Sequence, residues 1–558
     1  MPGAPSLVSS RVRAMLASAS ARWVIVAVAV LACLPAVFSG LAADDFLQAA
    51  ILADPASSPS DIFDAERVDI THPWWTDPTW HARFLRPVTV WSHRVDAVLW
   101  PQVPALMHVV SIAWYAALVL VTAAVLRELG GPRWAAGLAL WMFALDDAHA
   151  PTVAWVAARG TVLAGVFGTA AMLLYIRARR RGVTSLGAIS CFALALASSE
   201  VALAELGYLV AYALFVDSGP RRRLWALAPF FAVAVAWLLL RATIGCGTGG
   251  TGLYVEPWSD PLGFLAVVGP RVALLLSSVL GVPLLLDPLA FFPGGQQLAG
   301  VVAVIALLGL ALVLAPLRND AVARFFATAL LLSAVPLATT VPQDRHTLLL
   351  GLAGFGLVSR VVVALAEGWL RSSALRVVAW AWLLLHAVLG PLLVPLRAWT
   401  PAVMRDFTEL TAAALPAEVA PPVVLLAAPS DLHIMYTRAL AKVRGRPHPE
   451  RFHTLYTGPL PVDVVRSGPT SLELHTRGWF ACPMSQVFRD APMAVGTVVQ
   501  TPDFVAEVVA GDEAGHPTTV RFTFPCVLER CRITWLGWAV DRAVPMQPPT
   551  TDGPQQLR

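Results

Sequence analysis

Apolar runs of roughly 20 residues recur along most of the chain, separated by short polar stretches in which arginine is concentrated. That is the pattern of helices that cross a bilayer, since a helix must be apolar over about 20 residues to bridge about 30 Å of hydrocarbon. The first run, 23–42, follows Arg11, Arg13 and Arg22. It is too long for the core of a cleaved leader and many similar runs follow, so it reads as a retained first helix. The bias of basic residues toward the cytoplasm orients what comes after. Further crossings are expected near 103–126, 134–145 and 160–176, as a pair around Ser198-Ser199-Glu200, near 224–240, and as several more beyond the glycine-rich loop 245–252. The stretch 262–290 holds Arg271 and two prolines, and a single crossing there would put Arg318 and Arg324 outside. It reads as re-entrant or interfacial. About eleven spans result, and by that parity everything after about Leu396 lies outside.

The pattern changes at Arg397, and 401–558 contains no run long enough to span. Val423-Val424-Leu425-Leu426 reads as a buried strand, while 520–524 and 533–536 alternate as half-buried strands do. The expected organisation is a cytoplasmic tail, 1–22, and an all-α polytopic membrane bundle, 23–400, with its first outer loop at 43–101. A small exported domain, α/β or mostly β, follows at 401–558.

Composition sharpens this picture. Over 558 residues, 57% are hydrophobic and only 14% charged, at a mean hydropathy of +0.66, which excludes an ordinary soluble chain. The net charge of +4 comes from arginines in short loops, so no nucleic-acid partner is expected. Lys442 is the only lysine, a mark of a GC-rich genome, and contacts to phosphate therefore fall to arginine. The six cysteines show no zinc-binding spacing. Cys482, Cys526 and Cys531 lie in the exported part, where one disulfide can form, with its pairing unreadable. Trp74, Trp75, Trp80, Trp91 and Trp100 crowd the first outer loop, as a segment resting on the membrane interface would have them.

The chemistry-bearing stretch is Gly40-Leu41-Ala42-Ala43-Asp44-Asp45-Phe46, where helix 1 delivers two adjacent carboxylates to the outer surface. Carboxylates there are costly unless solvated, paired or used. No phosphate-binding loop, dinucleotide fingerprint, nucleophile elbow or HExxH is present, which argues against nucleotide-driven or soluble-hydrolase chemistry.

Several short stretches, in order over about 20–370, resemble the GT-C membrane glycosyltransferases, in particular the O-mannosyltransferase-like group. The acidic pair follows helix 1. Phe84-Leu85-Arg86-Pro87-Val88 resembles the group's "RPL" turn, and His108 sits at its "yH" position. Asp146 to Arg159 is similar to its "HPxHxExVxWxxxR", with His149, Trp155 and Arg159 matching. Ser199-Glu200-Val201-Ala202 resembles "KExA", Leu239-Leu240-Arg241 resembles the arginine closing its helix 7, and Gln343-Asp344-Arg345 resembles its late "DR" element. The chain departs from the group in Asp146-Asp147 for His-Pro, Pro151 for Glu, Ser199 for Lys, and 401–558 in place of a tetratricopeptide tail.

The resemblance implies a bacterial inner-membrane enzyme that moves a sugar from a polyprenyl-phosphate carrier to a protein or glycan hydroxyl on the outer face. It implies Asp44 or Asp45 as base, with Arg86, Arg159, Arg241 and Arg345 on the donor phosphate, and with His149, Glu200, Asp146 and Asp147 supporting them. The acids could also hold Mg2+ or Mn2+ through oxygen, though no complete ligand set is legible. Two other readings stay open: a transporter or flippase of lipid-linked sugars, which would carry duplicated halves with charges at mid-membrane, and a non-catalytic scaffold.

Overall fold

The computed structural model describes residues 8–217, 223–281, 286–289, 294–416, 421–480, 483–539, 542–549 and 555–557. Arg221, Arg222 and Cys482 lie outside the described residues. The molecule is a multi-pass helical membrane region followed by a β-rich domain.

Among the described residues, seven helices are long and apolar enough to cross a membrane, and three shorter apolar ones lie at Leu186–Ser198, Gln297–Leu312 and Ala321–Leu337. The expectation of eleven is therefore corrected to between seven and ten. Two of the expected crossings are short helices, Arg133–Ala144 and Glu205–Phe215, of 12 and 11 residues. At 1.5 Å per residue each covers only about 18 Å. The bundle is built around helix Asp344–Ala366, which is buried over nearly its whole length.

Helix Pro261–Val279 is one of the seven by length and composition. Phe264 lines a cavity together with Arg345, and Arg271 donates to the Ala338 carbonyl at 3.1 Å. Val279 packs on Gly354, about 15 Å further along the central helix. The Leu286 amide then returns to Asp344 at 3.1 Å. Phe264 and Leu286 thus both lie near the N-terminal end of the central helix.

The first helix runs Ala21–Cys33 and tightens at Pro35 into the 3-10 turn Leu34–Phe38, rather than continuing to residue 42. At the other end, helix persists from Ser373 to Ala412 across the expected boundary at 400. A π-turn at Leu385–Leu389 interrupts it.

The C-terminal domain holds two sheets. One has four strands, with Val423–Ala428 wholly buried and parallel to both Phe452–Thr457 and Thr534–Ala539. The other has six antiparallel strands, with Pro517–Thr523 near its centre. A disulfide joins Cys526 to Cys531. The first outer loop is part of this domain's packing rather than a layer on the membrane. Trp74 and Trp75 sit in one cluster with Val424, Leu455, Trp479 and Phe522, and the Trp74 and Trp80 indoles donate to the Leu455 and Val487 carbonyls at 3.0 and 2.9 Å. The aromatic-belt expectation is thus corrected for Trp74, Trp75 and Trp80, which are buried in the protein, Trp74 and Trp80 with their indole N–H groups satisfied. Trp91 remains exposed.

Candidate active site

The corner after the first helix is strained and held. Gly40 has φ 72° and Ala43 has φ 50°, a left-handed conformation that costs a non-glycine residue about 1 kcal/mol or more. Four separate elements hold it in place. His108 Nε2 lies 3.0 Å from the Gly40 carbonyl, Arg405 Nη1 donates to the Ser39 carbonyl at 2.6 Å, and Trp155 Nε1 donates to the Ala42 carbonyl at 3.2 Å. The fourth contact is Asp45 itself. Its carboxylate accepts from the Ala42 amide at 2.9 Å and from the Ala157 amide at 2.7 Å. Helix Asp44–Ala53 starts from this corner.

The two acids are thereby separated in role. Asp45 is buried and spent on backbone amides, whereas Asp44 lines a cavity of about 390 Å3. Tyr436, from the C-terminal domain, donates its hydroxyl to Asp44 Oδ1 at 2.8 Å. Burial raises the Asp44 carboxyl above its ordinary value, an effect partly offset by the Tyr436 hydroxyl and by the charges of Arg345 and Arg86. Burial likewise pushes Asp45 up to about 7 against its two amide bonds, and the neighbouring Asp44 adds to the rise.

Arg86, Arg241 and Arg345 share the cavity with Asp44 and Glu200. Arg86 forms a two-bond pair with Glu200 and stacks over Phe84, its Cζ 4.5 Å from the ring centre. Burial opposes ionisation of Glu200, but the Arg86 guanidinium prevails and holds the carboxyl below its usual range. Arg241 pairs with Glu256 and lies 5.1 Å over Trp258. Arg345 has no carboxylate salt-bridge partner among the described residues. The remaining wall is apolar and aromatic, including Trp237, Leu337, Val335, Phe264, Trp155 and Tyr254.

The other expected site residues lie elsewhere. Arg159 is fully buried and faces away from the cavity. It pairs with Asp96 at 2.5 Å and bonds Ser111, Ser92 and the Met107 carbonyl. Its guanidinium locks helix Arg159–Arg181 to its neighbours, so the structure does not bring it into the cavity with the other three. Asp146, Asp147 and His149 gather in a second polar cluster. Asp146 meets His386 Nδ1 at 3.1 Å, Asp147 meets Arg397 at 3.2 Å, and Arg397 also bonds Asp344. His149 Nδ1 lies 2.9 Å from the Phe143 carbonyl. Among the described residues no group of three or more His, Cys, Asp or Glu is placed to hold a metal ion.

Sequence reasoning missed Tyr436, Glu256 and Asp96. Tyr436 is 392 residues from Asp44 and stands in no motif. Glu256 and Asp96 were detectable only as acids that the buried arginines would need for pairing.

Fold and site define a multi-pass membrane protein with a β-rich C-terminal domain and a cavity in which the carboxylates of Asp44, Glu200 and Glu256 meet the guanidiniums of Arg86, Arg241 and Arg345 beside an apolar wall. No protein-family model and no curated protein matches the sequence. Among solved structures the chain is similar to the oligosaccharyltransferase of Archaeoglobus fulgidus tethered to an acceptor peptide containing the NVT sequon (TM-score 0.39, 13% identity, 79% of this chain). The match spans 64% of that enzyme's length. It is also similar to ArnT from Cupriavidus metallidurans bound to undecaprenyl phosphate (TM-score 0.37, 16% identity, 77% of this chain and 86% of that one).

Proposed function

We propose that the chain is a GT-C-type integral membrane glycosyltransferase, moving a sugar from a polyprenyl-phosphate carrier to a hydroxyl of a protein or glycan. The observation that carries this reading is the meeting of Asp44 with Arg86, Arg241 and Arg345 in one cavity whose remaining wall is apolar. Such a wall suits an isoprenoid tail, and guanidinium groups suit the phosphate at its head. The aromatic faces of Trp155, Tyr254 and Trp258 suit a sugar ring.

In the reaction, the acceptor oxygen bonds to the anomeric carbon while its proton passes to the Asp44 carboxylate. The bond from that carbon to the carrier phosphate breaks with inversion, and the phosphate leaves carrying the bond's electron pair. Arg345, which has no carboxylate partner of its own, meets the charge that develops on the leaving phosphate. Arg86 and Arg241 are held rigid by Glu200 and Glu256 and complete the cradle. Asp45 positions the corner and takes no proton. The disulfide-bearing domain supports an outer-face site, since such bonds persist in oxidising compartments, and we place the protein in a bacterial inner membrane.

The test is transfer of labelled sugar from a panel of polyprenyl-phosphate donors by the purified full-length protein and its Asp44→Asn variant. General-base loss lowers turnover by about 100- to 10,000-fold. Transfer by Asp44→Asn at the rate of the unaltered enzyme would falsify the assignment. Asp45→Asn, by contrast, lowers thermal stability, because an amide can accept only one of the two backbone bonds and turns a donor toward the other.

A further inference from the structure

A second cavity, of about 480 Å3, opens at the opposite, cytoplasmic end of the bundle. Its walls come from the ends of the amphipathic helix Ser10–Ala17, the first membrane helix, helix Pro104–Glu128 and helix Arg133–Ala144. The first of these lies hard against the last. A Cβ on Gly137 would stand 2.3 Å from the Leu16 carbonyl, so the glycine is what lets the short helix roof the cavity.

Arg22, Arg127 and Arg133 all line it, alongside Leu16, Ile25 and Leu140. The positive-inside bias accounts for arginines at this end of the bundle. It does not account for three of them turning into one hollow without a counter-ion. The Arg22 Nε is buried and bonds nothing. None of the three forms an ion pair among the described residues; of the acids at this end, Glu367 is exposed, forms no ion pair and does not line the cavity, and the others are engaged by other arginines. Glu128 is taken by Arg177 and Arg180, Asp217 by Arg179, and Asp320 by Arg360. Residues 1–7 and 218–222 contain no acid.

Uncompensated guanidiniums at the head of an apolar-walled hollow, open at the level of the inner leaflet, are built for an anion brought by something greasy. We propose that this cavity is a binding site for a phosphoryl anion, with Arg22, Arg127 and Arg133 as its ligands and the headgroup of an inner-leaflet anionic phospholipid as the expected source. The apolar flank of Leu16, Ile25 and Leu140 takes the upper part of the acyl chains. The site is separate from the Asp44 cavity in residues and in face, and it stands or falls independently of the proposed transfer reaction.

The experiment measures retention of cardiolipin, phosphatidylcholine and inorganic phosphate by the purified full-length protein, using native mass spectrometry for the lipids and a thermal shift for phosphate. Each is run on the unaltered protein, on Arg127→Gln, on Arg133→Gln, and on the triple variant with Arg22→Gln. An arginine near an anionic headgroup is worth about 1 kcal/mol, so each single variant is expected to bind cardiolipin about fivefold more weakly and the triple variant roughly 100-fold. Inorganic phosphate bound with the same arginine dependence, and cardiolipin bound no better than phosphatidylcholine, would uphold the phosphoryl site and make its source soluble. Equal retention of cardiolipin by the triple variant, with its unfolding transition in phosphatidylcholine unchanged, would overturn the proposal. So would the absence of any preference for cardiolipin or phosphate over phosphatidylcholine in the unaltered protein. The two exposed single variants keep the test decisive if the triple variant fails to fold.

Discussion

Replacing Tyr436 by Phe removes one hydroxyl and leaves the ring in its buried place against helix Asp44–Ala53. In the unaltered protein that hydroxyl donates to Asp44 Oδ1 at 2.8 Å and favours the charged carboxylate. A hydrogen bond to a charged group contributes about 1.5 to 3 kcal/mol, and 1.36 kcal/mol corresponds to about one pKa unit. Asp44 already stands above its ordinary value because of burial, so losing the bond raises it further. A base works only when deprotonated. The acid limb of the pH–rate profile for kcat/KM should therefore move to higher pH in Tyr436→Phe, with the rate falling most on the acid side and recovering as pH rises. The assay is sugar transfer by full-length protein across pH 5 to 9 in matched ionic strength, with thermal unfolding as a control. An acid limb that stays where it was while the alkaline plateau drops would show Tyr436 to be packing alone. A shift toward lower pH would refute the electrostatic argument outright. Because Tyr436 belongs to the C-terminal domain, the same experiment reports whether that domain completes the site.

Two further outcomes follow from the charge pairing. Arg345→Gln should lower transfer by about 10- to 1,000-fold with little loss of stability, since it leaves no carboxylate stranded. Arg159→Gln strands the buried Asp96 and should destabilise the fold by about 3 to 5 kcal/mol, seen as early unfolding in detergent. In the C-terminal domain, buried Asp431 accepts from the Thr457 hydroxyl at 2.9 Å and is pushed up to about 7 by burial. A raised carboxyl contributes stability that is complete below its unfolded value near 4 and is lost as pH rises toward 7. Asp431→Asn should therefore unfold at a higher temperature than the unaltered protein at pH 8, by an amount worth on the order of a few kcal/mol, and at the same temperature near pH 4. A difference that persists unchanged at pH 4 would rule out titration as its cause.

The membrane helices were legible in the sequence because hydrocarbon imposes a local rule. Each spanning segment must satisfy its own backbone and be apolar over a fixed length, so 103–126 and 160–176 could be read without knowing their neighbours. Charge bias carries an expected orientation, with the Asp44-Asp45 corner on the outer face. The strand Val423–Ala428 was legible from a continuous apolar run. What the sequence could not decide was how side chains are shared between segments. Asp44 and Asp45 are neighbours of identical chemistry, and only the arrival of the Ala157 amide on one and the Tyr436 hydroxyl on the other sets them apart. Arg159 and Arg345 are equal as motif residues. The tertiary structure gives one a buried Asp96 and leaves the other facing the cavity. Composition placed the tryptophans of the first loop at the interface, but the C-terminal domain supplied a drier surface and carbonyls for Trp74 and Trp80. Hydropathy is a property of a segment taken alone, whereas hydrogen-bond and ion-pair partners are allotted by contacts hundreds of residues apart, and the second kind of information exists only in the fold.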